Sequence, residues 1–151
     1  MKQKIVAMVM VLSFVYVGFA CAGGKATPAE AEALVKKAVA FIKANGKEAA
    51  FAEFTNKNGK FIDRELYIFV YDFNGKCLAH GLNPKMVGKD LIELTDPDGK
   101  QFNRELIEVA KAKGKGWTNF KFTDPVTKKI GEKTAYVEKF EDIVVGSGAY
   151  K

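Results

Sequence analysis

Arginine, histidine, cysteine and tryptophan are scarce in this 151-residue chain. Of 24 Lys+Arg residues only Arg64 and Arg104 are arginines, and the lysines are spread along the chain with 18 acids between them. Nucleic-acid readers concentrate arginine and interleave exposed aromatics along one element. The net charge of +6 therefore reads as a solvated basic surface, and no nucleic-acid partner is expected. Two cysteines and one histidine cannot supply a four-ligand zinc site without carboxylate help, so no metal or other cofactor is expected. There is no glycine-rich phosphate loop and no Ser-His-carboxylate set in motif context. The acid pairs Asp96/Asp98 and Glu141/Asp142 are better explained by turns, so the chain is not read as an enzyme. With 48% hydrophobic residues and 28% charged, one compact domain is the natural size.

Lys2 and Lys4 precede an uncharged run from Ile5 to Ala20, followed by the small residues Cys21 to Gly24. The run is shorter than the roughly 20 residues of a membrane-spanning helix. It reads as a signal peptide over residues 1–22, with cleavage after Ala20-Cys21-Ala22. A rival reading lipidates Cys21, but Gly18 stands where a lipobox wants an aliphatic residue; an uncleaved anchor is the third. Cleavage leaves a periplasmic or secreted domain, residues 23–151, whose charge falls from +6 to +4 with the loss of Lys2 and Lys4. Cys77 is then its only cysteine, so no intrachain disulfide is available.

In the remaining chain Thr27-Pro28-Ala29-Glu30 forms a capping box with proline at N1. Leu34, Val35, Ala38, Val39, Phe41 and Ile42 recur at helical spacing as far as Gly46. A short second helix is predicted from Lys47 to Thr55. Leu66 to Tyr71 reads as a strand with Tyr67, Phe69 and Tyr71 on one face and Ile68 and Val70 on the other. Asn74-Gly75 predicts a type I′ hairpin turn, in which both residues take positive φ, and the strand returns over Cys77 to His80. A further helix is predicted over Gln101 to Lys113, ended by Gly114. Three strands follow, at Gly116–Thr123, Thr134–Phe140 and Ile143–Tyr150. The pattern predicts an α+β domain with helices packed on an antiparallel sheet of about five strands.

The segment Asp72-Phe73-Asn74-Gly75-Lys76-Cys77-Leu78-Ala79-His80-Gly81-Leu82-Asn83-Pro84, followed by Val87-Gly88-Lys89, resembles the single Cache domains of the second type. These are PAS-like extracytoplasmic sensor domains of bacterial chemoreceptors and kinases. Asp96-Pro97-Asp98-Gly99-Lys100, Gly116-Trp117, Pro125-Val126-Thr127, the stretch from Lys133 to Val137 and the closing Val145-Gly146-Ser147-Gly148-Ala149-Tyr150 continue the resemblance in order. It implies a long first helix on a curved sheet and a cavity for a small carboxylate such as pyruvate, propionate, acetate or lactate. It further implies chemotaxis-related signalling through a membrane receptor or kinase, with a homodimer through the first helix as one arrangement. Such receptors continue into a membrane helix and a signalling domain, whereas this sequence ends at Lys151, so the expectation is a stand-alone sensor that acts through a partner.

A buried carboxylate needs a cation and hydrogen-bond donors inside apolar walls. Tyr67, Phe69 and Tyr71 are candidate walls, with tyrosine hydroxyls as donors. His80, the single histidine, falls inside the resembling motif and can donate to a carboxylate. Arg104 and Lys133 are the candidate cations, Arg104 having a surface pair with Glu108 as its alternative role. Trp117 is a candidate wall, and Tyr136 completes the set. Strict alternation sets Lys133 and Tyr136 on opposite faces, so both reach one cavity only across a bulge. Two other readings stand beside the carboxylate sensor: a ligand-free interaction module with the cavity filled by side chains, and a haem or redox protein using Cys77 and His80.

Overall fold

The structure, a computed structural model, describes residues 23–151. The predicted signal peptide and Cys21 lie outside the described residues. Helix α1 (Pro28–Asn45) opens on the capping box: the Glu30 N–H donates to Thr27 Oγ1, and the Thr27 N–H donates to Glu30 Oε2 at 2.7 Å. Gly46, at φ +83°, ends α1 and is followed at once by α2 (Lys47–Thr55). The chain continues through β1 (Phe69–Asp72), β2 (Cys77–His80), a single 3₁₀ turn at Pro84–Met86, and α3 (Phe102–Lys113). It closes with β3 (Lys115–Thr123), β4 (Ile130–Phe140) and β5 (Ile143–Tyr150). Among the described residues no helix is long and apolar enough to cross a membrane.

The five strands form one antiparallel sheet in the order β2-β1-β5-β4-β3. The central strand β5 is buried along its whole length, which explains why its sequence reads apolar and small rather than alternating. Helix α1 crosses one face, burying Val35, Ala38, Val39 and Ile42 against Ile68, Val70, Tyr136 and Val145. Leu34 and Phe41 sit at the margin of that stripe. Helix α3 covers the other face, packing Phe102, Leu106 and Ile107 with Phe69, Phe120 and Val137. The sheet thus separates two cores, and period two assigns each strand residue to one of them.

Two local expectations are corrected. The predicted strand from Leu66 joins the ladder only at Phe69, because Leu66 is tied back to Asp63 by reciprocal backbone bonds of 3.1 and 2.8 Å. The hairpin does not use a type I′ turn: Gly75 takes φ +92°, but Asn74 does not take a positive φ. The loop is instead Phe73-Asn74-Gly75, held by the Asp72 carboxylate, which accepts from the N–H groups of Asn74 and Lys76 at 2.9 Å each. Any side chain at Gly75 would also meet Ile92, 2.5 Å from where its Cβ would sit.

A bulge in this hairpin matters for the site. Val70 faces Ala79, but Tyr71 faces Cys77, so Leu78 is the extra residue on β2. Leu78 and Ala79 both turn toward the α1 core. Cys77 and His80, three residues apart, consequently share the α3 face. An unbroken strand would place them on opposite faces, so the bulge is what aims the histidine inward.

Candidate cavity around Lys133

Between the sheet and α3 lies a cavity walled by Tyr67, Phe69 and Tyr71 from the first strand region, Phe102 and Leu106 from α3, and Phe120 and Phe122 from β3. Met86, Leu91 and Leu94, from the segment before α3, close its remaining side. The Phe102 and Phe120 rings stack at 4.4 Å and 8°. The volume open to the centre of a water-sized sphere is about 20 Å3, room for about one water. A ligand here is small, or enters by displacing side chains.

The floor is Lys133, whose residue is 1% exposed. Its Nζ donates to the Tyr67 hydroxyl at 2.9 Å and lies 4.3 Å from the centroid of the Tyr67 ring, within 6 Å of the Phe69, Phe122 and Tyr150 rings as well. The described residues give it no ion pair. Asp124 acts on its charge only at longer range, and burial drives its pKa down from 10.5 to about 7. Aromatic faces attract a cation but do not replace a counter-charge, so a desolvated ammonium here is incompletely compensated. Gly148 allows this placement, since its missing Cβ would lie 2.7 Å from Lys133 Cε.

His80 faces the same space, its ring 5.0 Å from that of Tyr67. Its Nδ1 accepts from the Asn83 N–H at 3.0 Å, which leaves Nε2 as the protonated nitrogen of the neutral ring. Burial, reinforced by the charge of Lys133, lowers its pKa from 6.5 to about 4. His80 is thus a neutral N–H donor at pH 7. Burial pushes the hydroxyls of Tyr67 and Tyr71 well above the ordinary tyrosine range, so both remain donors. Cys77 is buried and its thiol is pushed up to about 11, chiefly by burial. A protonated thiol is a poor ligand for a metal or haem.

Five of the eight sequence candidates, Tyr67, Phe69, Tyr71, His80 and Lys133, line this one cavity. The other three are placed elsewhere. Arg104 points outward and pairs with Glu93 at 2.7 Å, while its Nε donates to Gln101 at 2.9 Å. Its partner is therefore Glu93 rather than the Glu108 expected from helical spacing. Trp117 and Tyr136 face each other across β3 and β4 on the opposite side of the sheet, 5.1 Å apart. Tyr136 packs into the α1 core and Trp117 is 40% exposed. No bulge intervenes in β4, so the alternation that sends Lys133 into the cavity sends Tyr136 away from it.

Sequence reasoning missed Asn103. It is 1% exposed, its Nδ2 donates to the Leu91 carbonyl at 3.0 Å, and its Oδ1 has no partner among the described residues. The available signal was an asparagine beside Phe102 at the start of an amphipathic helix, where a polar residue is ordinarily turned to solvent.

A long helix on one face of a five-stranded antiparallel sheet, with a helix-covered cavity on the other, defines a PAS-like sensor domain. The chain belongs to the family described as Single Cache domain 2, whose model matches residues 1–151. It is 38% identical over 86 residues to the sensor histidine kinase MctS of Rhizobium johnstonii, covering 56% of this chain and 18% of that protein. It is 30% identical over 90 residues to the methyl-accepting chemotaxis protein McpP of Pseudomonas putida, covering 58% of this chain and 16% of that protein. The chain thus spans less than a fifth of either relative.

Among solved structures, a methyl-accepting chemotaxis protein from Vibrio parahaemolyticus superposes with a TM-score of 0.71 at 27% identity, over 81% of this chain and 86% of that one. A Cache chemosensory domain whose structure explains carboxylic acid recognition superposes with a TM-score of 0.68 at 26% identity, over 81% and 91%. Domains of this family are extracytoplasmic sensors of chemoreceptors and kinases, and their role is sensory rather than catalytic.

Replacing His80 with alanine is expected to weaken binding of a carboxylate by about 10- to 100-fold, the worth of one hydrogen bond to a charged group. Arg104→Ala is expected to leave it unchanged. Isothermal titration of the two variants checks this, and the reverse order would remove His80 from the site.

Proposed function

We propose that this protein is an exported sensor domain that binds a small organic acid of two to four carbons and passes the bound state to a membrane receptor or kinase. The observation that carries the reading is Lys133: a buried lysine with no ion pair among the described residues, in an aromatic cavity that also holds Tyr67 and His80 as donors. A carboxylate placed there supplies the missing counter-charge and accepts from the histidine and tyrosine, while its short carbon tail rests on Phe102, Leu106 and Phe120. Acetate, propionate, pyruvate and lactate all fit this chemistry. The small free volume favours acids of two or three carbons over those of four. Residues 1–22 act as the export signal in this reading, and Gly23 to Lys151 as the sensor; the long α1 is the surface through which two copies pair.

A second reading is favoured by that same small volume: the cavity is filled by its own side chains and the domain is a ligand-free interaction module. A thermal-shift screen of the purified protein against short carboxylates, amino acids and amines decides between them, because a ligand that binds only the folded state raises its stability by mass action. A dose-dependent rise with acetate, propionate, pyruvate or lactate, larger than with four-carbon acids, is the expected result. No rise with any compound selects the interaction module.

A further inference from the structure

We infer that the groove beside Phe122, rimmed by Lys57, Lys85 and Lys128, is the vestibule through which an anionic ligand reaches the Lys133 cavity. This rests on the carboxylate reading above and adds the route and its electrostatics. Phe122 lines both the cavity and the groove. Its ring centroid lies 5.5 Å from Lys133 Nζ on the cavity side. Asn83, in the groove wall, donates its N–H to Nδ1 of His80. One half-buried ring and the Leu82-Asn83 segment therefore lie between the groove and the Lys133 and His80 side chains of the cavity.

The charge distribution singles out this side. Lys57 follows α2, Lys85 lies in the 3₁₀ turn and Lys128 in the β3–β4 turn, so three unrelated segments bring cations to one rim. None of the three forms an ion pair among the described residues, and no acid lines the groove. Two of these positions are held by their own backbone. The Lys85 N–H donates to Asn83 Oδ1, and the Lys128 N–H donates to the carbonyl of Asp124, whose buried carboxylate also holds the Val126 and Thr127 N–H groups.

The groove on another side of the cavity, reached past Phe120, is different. Its lysines are matched by acids: Lys121 with Asp98 at 2.9 Å, Lys100 with Glu105 at 3.0 Å and Lys151 with Glu132 at 3.4 Å. Of these two grooves, the Phe122 side is the one whose lysines have no ion-pair partner among the described residues. Such a rim raises the association rate and does so in a salt-dependent way. Room for about one water remains inside the cavity, so a ligand enters as the Phe122 ring swings aside.

The test is the pair of rate constants for propionate, from NMR line-shape titration of the wild-type protein and two triple variants. At about 20 mM ionic strength, Lys57→Gln/Lys85→Gln/Lys128→Gln is expected to slow association about tenfold with dissociation unchanged, and at about 0.5 M salt the difference closes. Lys100→Gln/Lys121→Gln/Lys151→Gln is expected to associate at the wild-type rate. Unchanged association in the first triple, or an equal loss in both, overturns the vestibule while leaving the carboxylate site standing. Failure of the wild-type protein to bind propionate, acetate, pyruvate or lactate overturns both.

Discussion

Lys133→Met will abolish carboxylate binding and at the same time make the ligand-free domain more stable. Lysine and methionine have similar length, but methionine brings no charge into the aromatic box formed by Tyr67, Phe69, Phe122 and Tyr150. The wild-type ammonium gives up its hydration and in return donates one hydrogen bond to the Tyr67 hydroxyl and lies against the faces of rings. Replacing buried charge by an apolar side chain of similar volume is commonly neutral or stabilising, by about 1–4 kcal/mol. For a domain of this size that is a rise in Tm of several degrees. The Tyr67 hydroxyl loses its partner, which reduces the gain without reversing it. A ligand carboxylate, in contrast, loses its counter-charge inside an apolar cavity, and a loss of at least about 100-fold in affinity is expected. Calorimetry and titration of the same variant check both halves. Lower stability together with unaltered binding would show that the lysine is a structural tie.

The second large effect is on pH. A lysine whose folded-state pKa is lowered from 10.5 to about 7 binds fewer protons in the folded than in the unfolded chain between those values. Stability of the ligand-free domain therefore rises with pH across that window and is lost as pH falls through it. The slope is at most about 1.4 kcal/mol per pH unit. It is cleanest from pH 7 to 9, since Cys77, raised from 9.0 to about 11, brings an opposing loss above pH 9.

Carboxylate binding at the proposed site is expected to show the opposite dependence. The ligand needs the ammonium form, which is already populated below about pH 7 and must be made by proton uptake above it. Affinity is expected to be level from about pH 5.5 to 7 and to fall about tenfold per unit above 7. His80, with a pKa of about 4, stays neutral throughout this range. Below pH 6.5 its protonation in the unfolded chain withdraws stability as pH falls toward 4. In Lys133→Met both slopes above pH 7 are expected to vanish. Affinity that stays constant from pH 7 to 9 in the wild-type protein would exclude the lysine as the ligand's counter-charge.

What was legible in the sequence follows from which interactions are local. The capping box at Thr27, the helix-ending Gly46 and Gly114, and the alternation along Tyr67, Phe69 and Tyr71 each depend on neighbours a few residues away, and each appears where expected. Alternation also placed Lys133 and Tyr136 on opposite faces, although it could not say which face held the cavity. His80 was selected for its motif. Its orientation depends on the bulge at Leu78, and a bulge is a property of strand pairing that period-two reading does not contain.

Arg104 shows the converse. Helical spacing offered Glu108 as its partner, but Glu93 arrives from a loop eleven residues earlier. The composition of Asn74-Gly75 predicts a type I′ turn, yet the Asp72 carboxylate stabilises a longer loop in which only Gly75 needs positive φ. The burial of Asn103 is not legible in its own helix, because the side chain is held by the Leu91 carbonyl, twelve residues earlier in the chain.

If Lys133 is the counter-charge of a bound carboxylate, its own titration must move on binding, and NMR titration of its Nζ with and without propionate reads that shift. The expected result is a free-state pKa of about 7 that returns toward the ordinary lysine value of 10.5 when propionate is bound. A pKa that stays near 7 in saturating propionate, or one near 10.5 in both states, would contradict it.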